Sequence, residues 1–433
     1  MLSLEPTKRE QVVATVKQRS EHYIVLDNGI TLIVTENDTA DLVACRIFLK
    51  NAGARWESCA QAGLFHLMAT TLTKGTETLT ARQIAESVES VGASLGADTT
   101  ADYFFLGFKT ISVDFSVLLA IASEILRKPI FPAAEVELEK RQIRQGIRSQ
   151  QELPMNVAFN QLRQAMYPNH PYGVSILGTQ ETVSSLTQAN LLECHDLFFR
   201  PDHLIISLSG RITHEAAIMQ VEKTFGDWSI PTHVHPKLDL PQLTPTTALR
   251  SVAQETQQSI IMLGYLGTSV NHQDYPVLKL LSSYLGNGLS SRLFVELREK
   301  QGLAYDVSAF YPTRLDAANF ITHMGTAPEN TAIALDGLRS EIARLSEATL
   351  STKELQGAKN KLLGQQALGK QSNSEIAQLN GWYEALGLSR NFDRQFESAI
   401  AQITSQQLQQ VAQTYFQCPY VSLVGPEAAI TVV

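Results

Sequence analysis

The chain has 433 residues, 44% of them hydrophobic and 18% charged, with a formal net charge of −8 at pH 7. That length exceeds one ordinary core and fits two domains of about 200 residues each. The acidic total argues against a phosphate-backbone partner, which takes a basic face, so no nucleic acid is expected. Cys45, Cys59, Cys194 and Cys418 are scattered, with no Cys-x-x-Cys pair. Cys45 and Cys59 lie near enough in sequence to meet, but four reduced thiols in a cytoplasmic protein is the plainer reading. The first ten residues, Met1 to Glu10, lack the apolar run of a signal peptide, and no later segment is long and apolar enough to span a membrane.

In chain order, residues 23–26 and 30–34 read as strands around Asp27-Asn28-Gly29, a hairpin signal because Asn and Gly tolerate positive φ. Residues 42–49 form a third strand. Residues 63–76 read as a helix with its exit at Lys74-Gly75-Thr76. A zinc-peptidase helix carries His-x-x-Glu-His, in which two histidines share a face and the Glu polarises a water. Here His66 is followed at i+3 by Ala69 and at i+4 by Thr70, so one imidazole remains and no base. Ile84, Ala85, Val88 and Val91 fall at helical spacing and stop at Gly92. Residues 103–108 return as a strand, 115–126, 133–150 and 156–166 as helices, and 203–210 as an apolar strand. Pro231, Pro236, Pro241 and Pro245 then punctuate an extended connector. After it come a strand at 259–266, helices at 275–284 and 290–300, strands at 305–311 and 319–326, three helices, and a strand at 420–424.

The two halves echo each other. Leu186-Thr187, Asn190-Leu191 and Phe198-Phe199 recur 217 residues later as Ile403-Thr404, Gln407-Leu408 and Tyr415-Phe416, and Glu135 to Lys140 recurs as Glu354 to Lys359. Such a period implies a duplicated domain rather than a solenoid. The expected fold is α+β, two homologous domains with a helix-covered sheet in each. Their expected extents are residues 1–228 and 248–433, with the linker at 229–247.

Gly53-Ala54-Arg55-Trp56-Glu57, Gly63-Leu64, Lys74-Gly75-Thr76, Gly288 to Phe294 and Arg298-Glu299-Lys300-Gln301-Gly302-Leu303-Ala304-Tyr305 together resemble the pitrilysin-like (insulinase-type) metallopeptidases. The similarity is greatest to the short bacterial members akin to mitochondrial processing peptidase, and runs from about residue 23 to 425. It implies a clam shell of two domains. It also implies a third zinc ligand, a Glu about 76 residues beyond the second motif His. That count lands on Gly146, beside Gln145, neither of which suits zinc. No metal or other cofactor is therefore expected in this chain.

The resemblance further implies that Arg298 and Tyr305 are the site residues. In such families an Arg and a Tyr at this spacing reach across to the zinc site, where the Tyr hydroxyl meets the developing oxyanion and the Arg fork holds substrate. Bacterial members often pair a His-x-x-Glu-His chain with one that carries only the Arg and Tyr, and this sequence has the second pattern. It implies a non-zinc-binding subunit of a heterodimeric metalloendopeptidase, inactive alone, with zinc in a homologous partner subunit and a peptide substrate; charge and hydropathy, as above, argue against a nucleic-acid or membrane partner.

Alternatives stay open. Arg298 can be read as a surface arginine beside Glu296 and Glu299, and Tyr305 as packing between helix and sheet. The whole chain can be read as a catalytically inactive scaffold of the same fold, or as a lone peptidase with an unorthodox metal site. His66 reads as a core histidine, His233 and His235 as residues of a solvated linker, and His170 as structural. Residues 92–99 match the family's exposed edge strand, which pairs with extended peptide. Gly286-Asn287-Gly288 is too short to resemble the expanded glycine-rich loop of the family's non-catalytic mitochondrial subunit, and with no Lys-Ser/Thr after it is a weak phosphate-binding signal.

Overall fold

The computed structural model describes residues 20–431; the segment read for a signal peptide, residues 1–10, lies outside them. The described residues form two α+β domains, each a sheet flanked by helices, joined by a linker in a clam-shell arrangement.

In the first half, β1 (Ser20–Val25), β2 (Thr31–Glu36), β3 (Leu42–Leu49), β4 (Ser94–Thr99), β5 (Phe104–Ile111) and β6 (Leu204–Gly210) assemble in the order β1-β2-β6-β3-β5-β4. The hairpin closes through Gly29 N–H to Leu26 O and Leu26 N–H to Ile30 O, both 2.9 Å. Gly29 alone of the turn residues takes positive φ, at 85°. The helices of this half are α1 (Leu64–Thr71), α2 (Ala81–Glu89), α3 (Phe115–Arg127), α4 (Ala133–Glu152), α5 (Pro154–Met166), α6 (Gln180–Ser185), α7 (Gln188–Phe198) and α8 (His214–Phe225).

The second half pairs β7 (Ala248–Ala253), β8 (Ser259–Leu266), β9 (Asp306–Phe310), β10 (Asn319–Thr326) and β11 (Tyr420–Gly425) in the order β7-β11-β8-β10-β9. Its helices are α9 (Tyr275–Gly286), α10 (Thr331–Glu347), α11 (Thr352–Leu368), α12 (Asn373–Ala385), α13 (Phe392–Gln402), α14 (Ser405–Tyr415) and the short α15 (Glu427–Ile430). Five helices, not three, therefore separate β10 from β11. The four breaks fall at Ser351 and Ser372, which cap α11 and α12 through boxes closed by Glu354 and Glu375, between Ala385 and Phe392, where Gly387 takes φ 64°, and at Ile403-Thr404, where Thr404 caps α14. The expected helix at 290–300 is a π-helix over Phe294–Lys300.

Each sheet alternates its apolar residues between two covered faces. One face of the first sheet carries Leu32, Val34, Cys45, Ile47, Phe104, Leu106, Ile206 and Leu208 into a core shared with the helices of its own half. The other face carries Ile33, Phe48, Ile205 and the partly buried Tyr103 and Phe105 against Ala385 and Trp382 of α12, a helix of the second half. The second sheet reciprocates: Ile260, Met262, Ile321, Tyr420 and Val424 pack against Ala158, Leu162 and Met166 of α5, a helix of the first half. A helix cover on one face per sheet, as sequence suggests, thus becomes two, the second supplied by the other half.

The echoed residues occupy like places. Lys140 Nζ donates to Leu186 O, at the end of α6, at 2.8 Å, and Lys359 Nζ donates to Ala401 O, in the last turn of α13, at 2.7 Å. Thr187 and Thr404 then cap α7 and α14 through boxes closed by Asn190 and Gln407.

Candidate functional site

Helix α1 begins where Gly63, at φ 95°, lets the chain turn in; a Cβ there would meet Leu177 O at 2.7 Å. Glu57 holds that end, its carboxyl oxygens accepting the N–H of Gly63 at 2.9 Å and of Phe65 at 2.7 Å, while burial pushes the group up to about 8 against those hydrogen bonds. Along the helix Ala69 is buried, and Thr70 donates its hydroxyl to Leu67 O at 3.1 Å. His66 is partly buried and its Nδ1 has no hydrogen-bond partner. Burial holds its imidazole below the ordinary value, against the opposing pull of Asp98 and Glu139. Glu139 is itself engaged by Lys74 at 3.0 Å. At Gly146 on α4 a Cβ would meet nothing within 4 Å, so no side chain fills the place expected for a distal ligand. One imidazole, a methyl, a self-bonded threonine and a glycine do not fit zinc.

Beside α1 runs β4, the outer strand of its sheet, bonded only to β5. Its residues alternate between exposed and half-buried from Ser94 to Asp98. Strand β9 is the corresponding outer strand of the second sheet, and the motif that carries Arg298 and Tyr305 leads into it.

That motif is anchored by Arg292, whose guanidinium donates to Glu341 of α10 at 2.7 and 3.2 Å and pairs with Glu296 at 2.7 Å. Glu296 also takes Lys300 at 2.8 Å. Arg298 therefore does not pair with Glu296, and makes no ion pair among the described residues. Its guanidinium lies 4.8 Å from the Phe294 ring centroid, exposed on the last turn of the π-helix. π-turns are uncommon and recur at functional sites. Gly302 ends the helix at φ 65°, with its N–H to Arg298 O at 3.2 Å and Leu303 N–H to Leu297 O at 2.9 Å. Tyr305 fixes its backbone through N–H to Gly325 O at 2.9 Å, while its side chain is 59% exposed. Helix-to-sheet packing does not account for that side chain.

His170 and His235 find structural partners, whereas His233 Nε2 is buried without one among the described residues. His170 Nδ1 accepts the Tyr172 N–H at 3.1 Å, and its Nε2 lies 3.8 Å from Asp316 across the two halves. His235 is not a solvated linker residue. Its ring stands edge-on to Trp56 at 4.6 Å and beside Phe198 and His203, and Nε2 meets Asn51 O at 3.0 Å. Gly286 is a packing glycine, since a Cβ there would lie 1.7 Å from Ala309 N on β9.

The expectation that this chain holds no metal-ligating set of its own, with any zinc confined to a partner, is corrected. His22 on β1, Glu36 at the end of β2 and His214 at the start of α8 converge, each offering one ligand atom, all within 4.8 Å of one another. Local spacing missed them because the three lie on separate elements. The hairpin did hold part of the signal: in its register Ser20 faces Glu36 and His22 faces Val34, so His22 and Glu36 are diagonal neighbours on one face. Nothing in the sequence places His214 beside them.

Comparisons with known proteins agree with the fold. Residues 32–180 match the family profile "Insulinase (Peptidase family M16)", and residues 185–362 match "Peptidase M16 inactive domain". The chain is 28% identical over 359 residues to an uncharacterized zinc protease, YmxG, of Bacillus subtilis, covering 83% of this chain and 87% of that one. It is 26% identical over 371 residues to an uncharacterized zinc protease of Rickettsia bellii, covering 85% and 86%. Among solved structures, a protease from Helicobacter pylori superposes with a TM-score of 0.88 at 20% identity, over 94% of this chain and all of that one. A peptidase M16 inactive domain from Pseudomonas fluorescens gives 0.86 at 21%, over 94% and 98%. Two consecutive family domains on this architecture make the chain a member of the M16, or insulinase, metallopeptidase superfamily.

Proposed function

We propose that this chain is the subunit of a heterodimeric metalloendopeptidase that lacks the catalytic zinc motif, and that Arg298 and Tyr305 act on peptide held by a homologous partner bearing His-x-x-Glu-His. One observation carries the reading. The position that should hold zinc is filled by Ala69 and Thr70, while Arg298 and Tyr305 remain exposed without a structural task. The relatives' description as zinc proteases supports the peptidase side. The outer strand β4 is available to take up extended peptide by edge pairing.

In this reading the Tyr305 hydroxyl donates to the scissile carbonyl oxygen as negative charge builds there, and Arg298 grips a neighbouring carbonyl or carboxylate with its planar fork. The division at residues 1–228, 229–247 and 248–433, as two copies of one unit, belongs to the same proposal. So does a cytoplasmic location, which the four free cysteines favour.

Tagged full-length chain recovered from its native cytosol should bring down, in equal amount, one chain of similar size with an intact His-x-x-Glu-His. Recovery of the chain alone, or with unrelated proteins only, would overturn the proposal and favour an inactive scaffold.

A further inference from the structure

Helix α8 starts at Thr213, whose side chain accepts the Ala216 N–H, and its first residue is His214. Glu36, reaching from the end of β2, accepts both the backbone N–H and Nδ1 of His214 through the same oxygen, Oε1, each at 2.8 Å. That pair suffices to hold the first turn of α8. It does not explain His22. The His22 ring stacks on His214 with centroids 3.7 Å apart and planes 5° from parallel; its Nε2 meets the exposed Ser20 hydroxyl at 2.5 Å and lies 3.8 Å from the same Glu36 Oε1. Two imidazoles and one carboxylate thus converge at a place open to solvent, each side chain about one-third exposed (30%, 32% and 31%). Glu36 Oε2 makes no hydrogen bond among the described residues.

We propose that His22 Nε2, Glu36 Oε1 and His214 Nδ1 bind one zinc-class divalent cation. Metal–ligand bonds of about 2.0–2.2 Å place tetrahedral neighbours about 3.4 Å apart. The separations of 2.8 and 3.8 Å bracket that value, and the exposed His22 ring turns out of its stack on His214 and away from Ser20 to aim Nε2 at the shared cation. Two nitrogen donors and one carboxylate suit Zn²⁺ and its transition-metal neighbours and do not suit Ca²⁺ or Mg²⁺, which take oxygen shells. A supporting carboxylate is also in place: Glu215 Oε1 lies 3.1 Å from His214 Nε2, which directs Nδ1 toward the cation. Three protein ligands leave a fourth position for water or an outside donor.

The site is distinct from the place α1 would have supplied. Strands β1 and β4 are opposite edges of the first sheet, five strand spacings or about 24 Å apart. A cation here ties the outer strand β1, bonded to the sheet only through β2, to the N-terminal end of α8. It serves as an edge clamp and is independent of any role for Arg298 and Tyr305.

The test uses purified full-length chain stripped with a chelator and titrated with Zn²⁺, then with Co²⁺ as a spectroscopic probe. One ion should bind per chain, with the visible absorption of low-coordinate Co²⁺, and amide exchange in β1 should slow. His22→Ala should weaken binding more than about 100-fold, and Glu215→Gln about 10-fold. His22→Gln replaces the alanine variant if the latter fails to fold. His66→Ala should change nothing. Substoichiometric binding, unchanged affinity in the His22 variant, or loss of binding in the His66 variant would each overturn the proposal.

Discussion

At the scale of single residues, Tyr305 carries the sharpest expectation. Its hydroxyl is the only part of the phenol that Tyr305→Phe removes, and the ring is too exposed for the change to disturb packing. In the assembled peptidase the variant should lose about 100-fold in kcat, the cost of one oxyanion donor, with little change in KM or in complex formation. Wild-type turnover would sink the role assigned to it. The sequence showed this half of the candidate site because its motif is contiguous, from Arg298 through Gly302 to Tyr305. It hid His22, Glu36 and His214 because a strand, its neighbour and a distant helix meet only after folding.

At the scale of elements, both exchanged helices pass over or beneath a glycine. A Cβ at Gly381 of α12 would meet the Phe48 ring at 2.4 Å and Ser207 Cβ at 3.0 Å. A Cβ at Gly264 of β8 would meet Met166 Sδ at 2.6 Å and Leu162 beneath α5. Phe48 is fully buried between Tyr103 and Phe105 and cannot yield, whereas a thioether swings aside. Gly381→Ala should therefore cost about 1–3 kcal/mol, and Gly264→Ala less, read from chemical denaturation. Several strand and helix positions were legible from periodicity to within a few residues, and Leu42–Leu49 and Asn319–Thr326 coincide with expectation, whereas β7, α6, α7 and α8 were not read. The swap was not legible, since an amphipathic helix does not announce which sheet it will cover.

The linker makes a second element-scale case. Burial, then the neighbouring His235, holds His203 down to about 4, with Asp202 pulling it up and Arg200 and Lys50 pushing it down. His235 is lowered too, chiefly by burial. Unfolded or undocked, these rings protonate near 6.5, so they bind more protons than in the docked state as the solution acidifies. Docking is thus fully present above about pH 6.5 and is lost as pH falls toward 4. Trp56, edge-on to His235, should report the release as a fluorescence change over that window, and protease should begin to cut residues 229–247. His203→Phe should flatten the pH dependence.

At the scale of the whole molecule, a buried polar cluster pins the halves. Asp102, 2% exposed, accepts the Tyr172 hydroxyl and lies 3.7 Å from both Arg55 and Arg314. Arg55 also reaches Asp316 at 3.1 Å, and Tyr167 donates to Ala317 O at 2.9 Å. Arg314, Asp316 and Ala317 belong to the second half, the rest to the first. Arg314→Ala removes one of two cations from a buried carboxylate and should cost about 1–3 kcal/mol, lowering the midpoint of a single unfolding transition rather than splitting it. Two separate transitions would show that the halves unfold independently.

The exchange of α5 and α12 also sets an order of events on the ribosome. The first sheet is complete in sequence at Gly210, but the helix that seals its second face ends at Ala385. Roughly 175 residues, or about 10–35 s of synthesis, separate the two. Through that interval Ile33, Phe48 and Ile205 present an unsealed apolar face to the cell. A nascent chain with this topology depends on chaperone shelter or slow collapse, and its first half cannot reach its final state before its second half is nearly made.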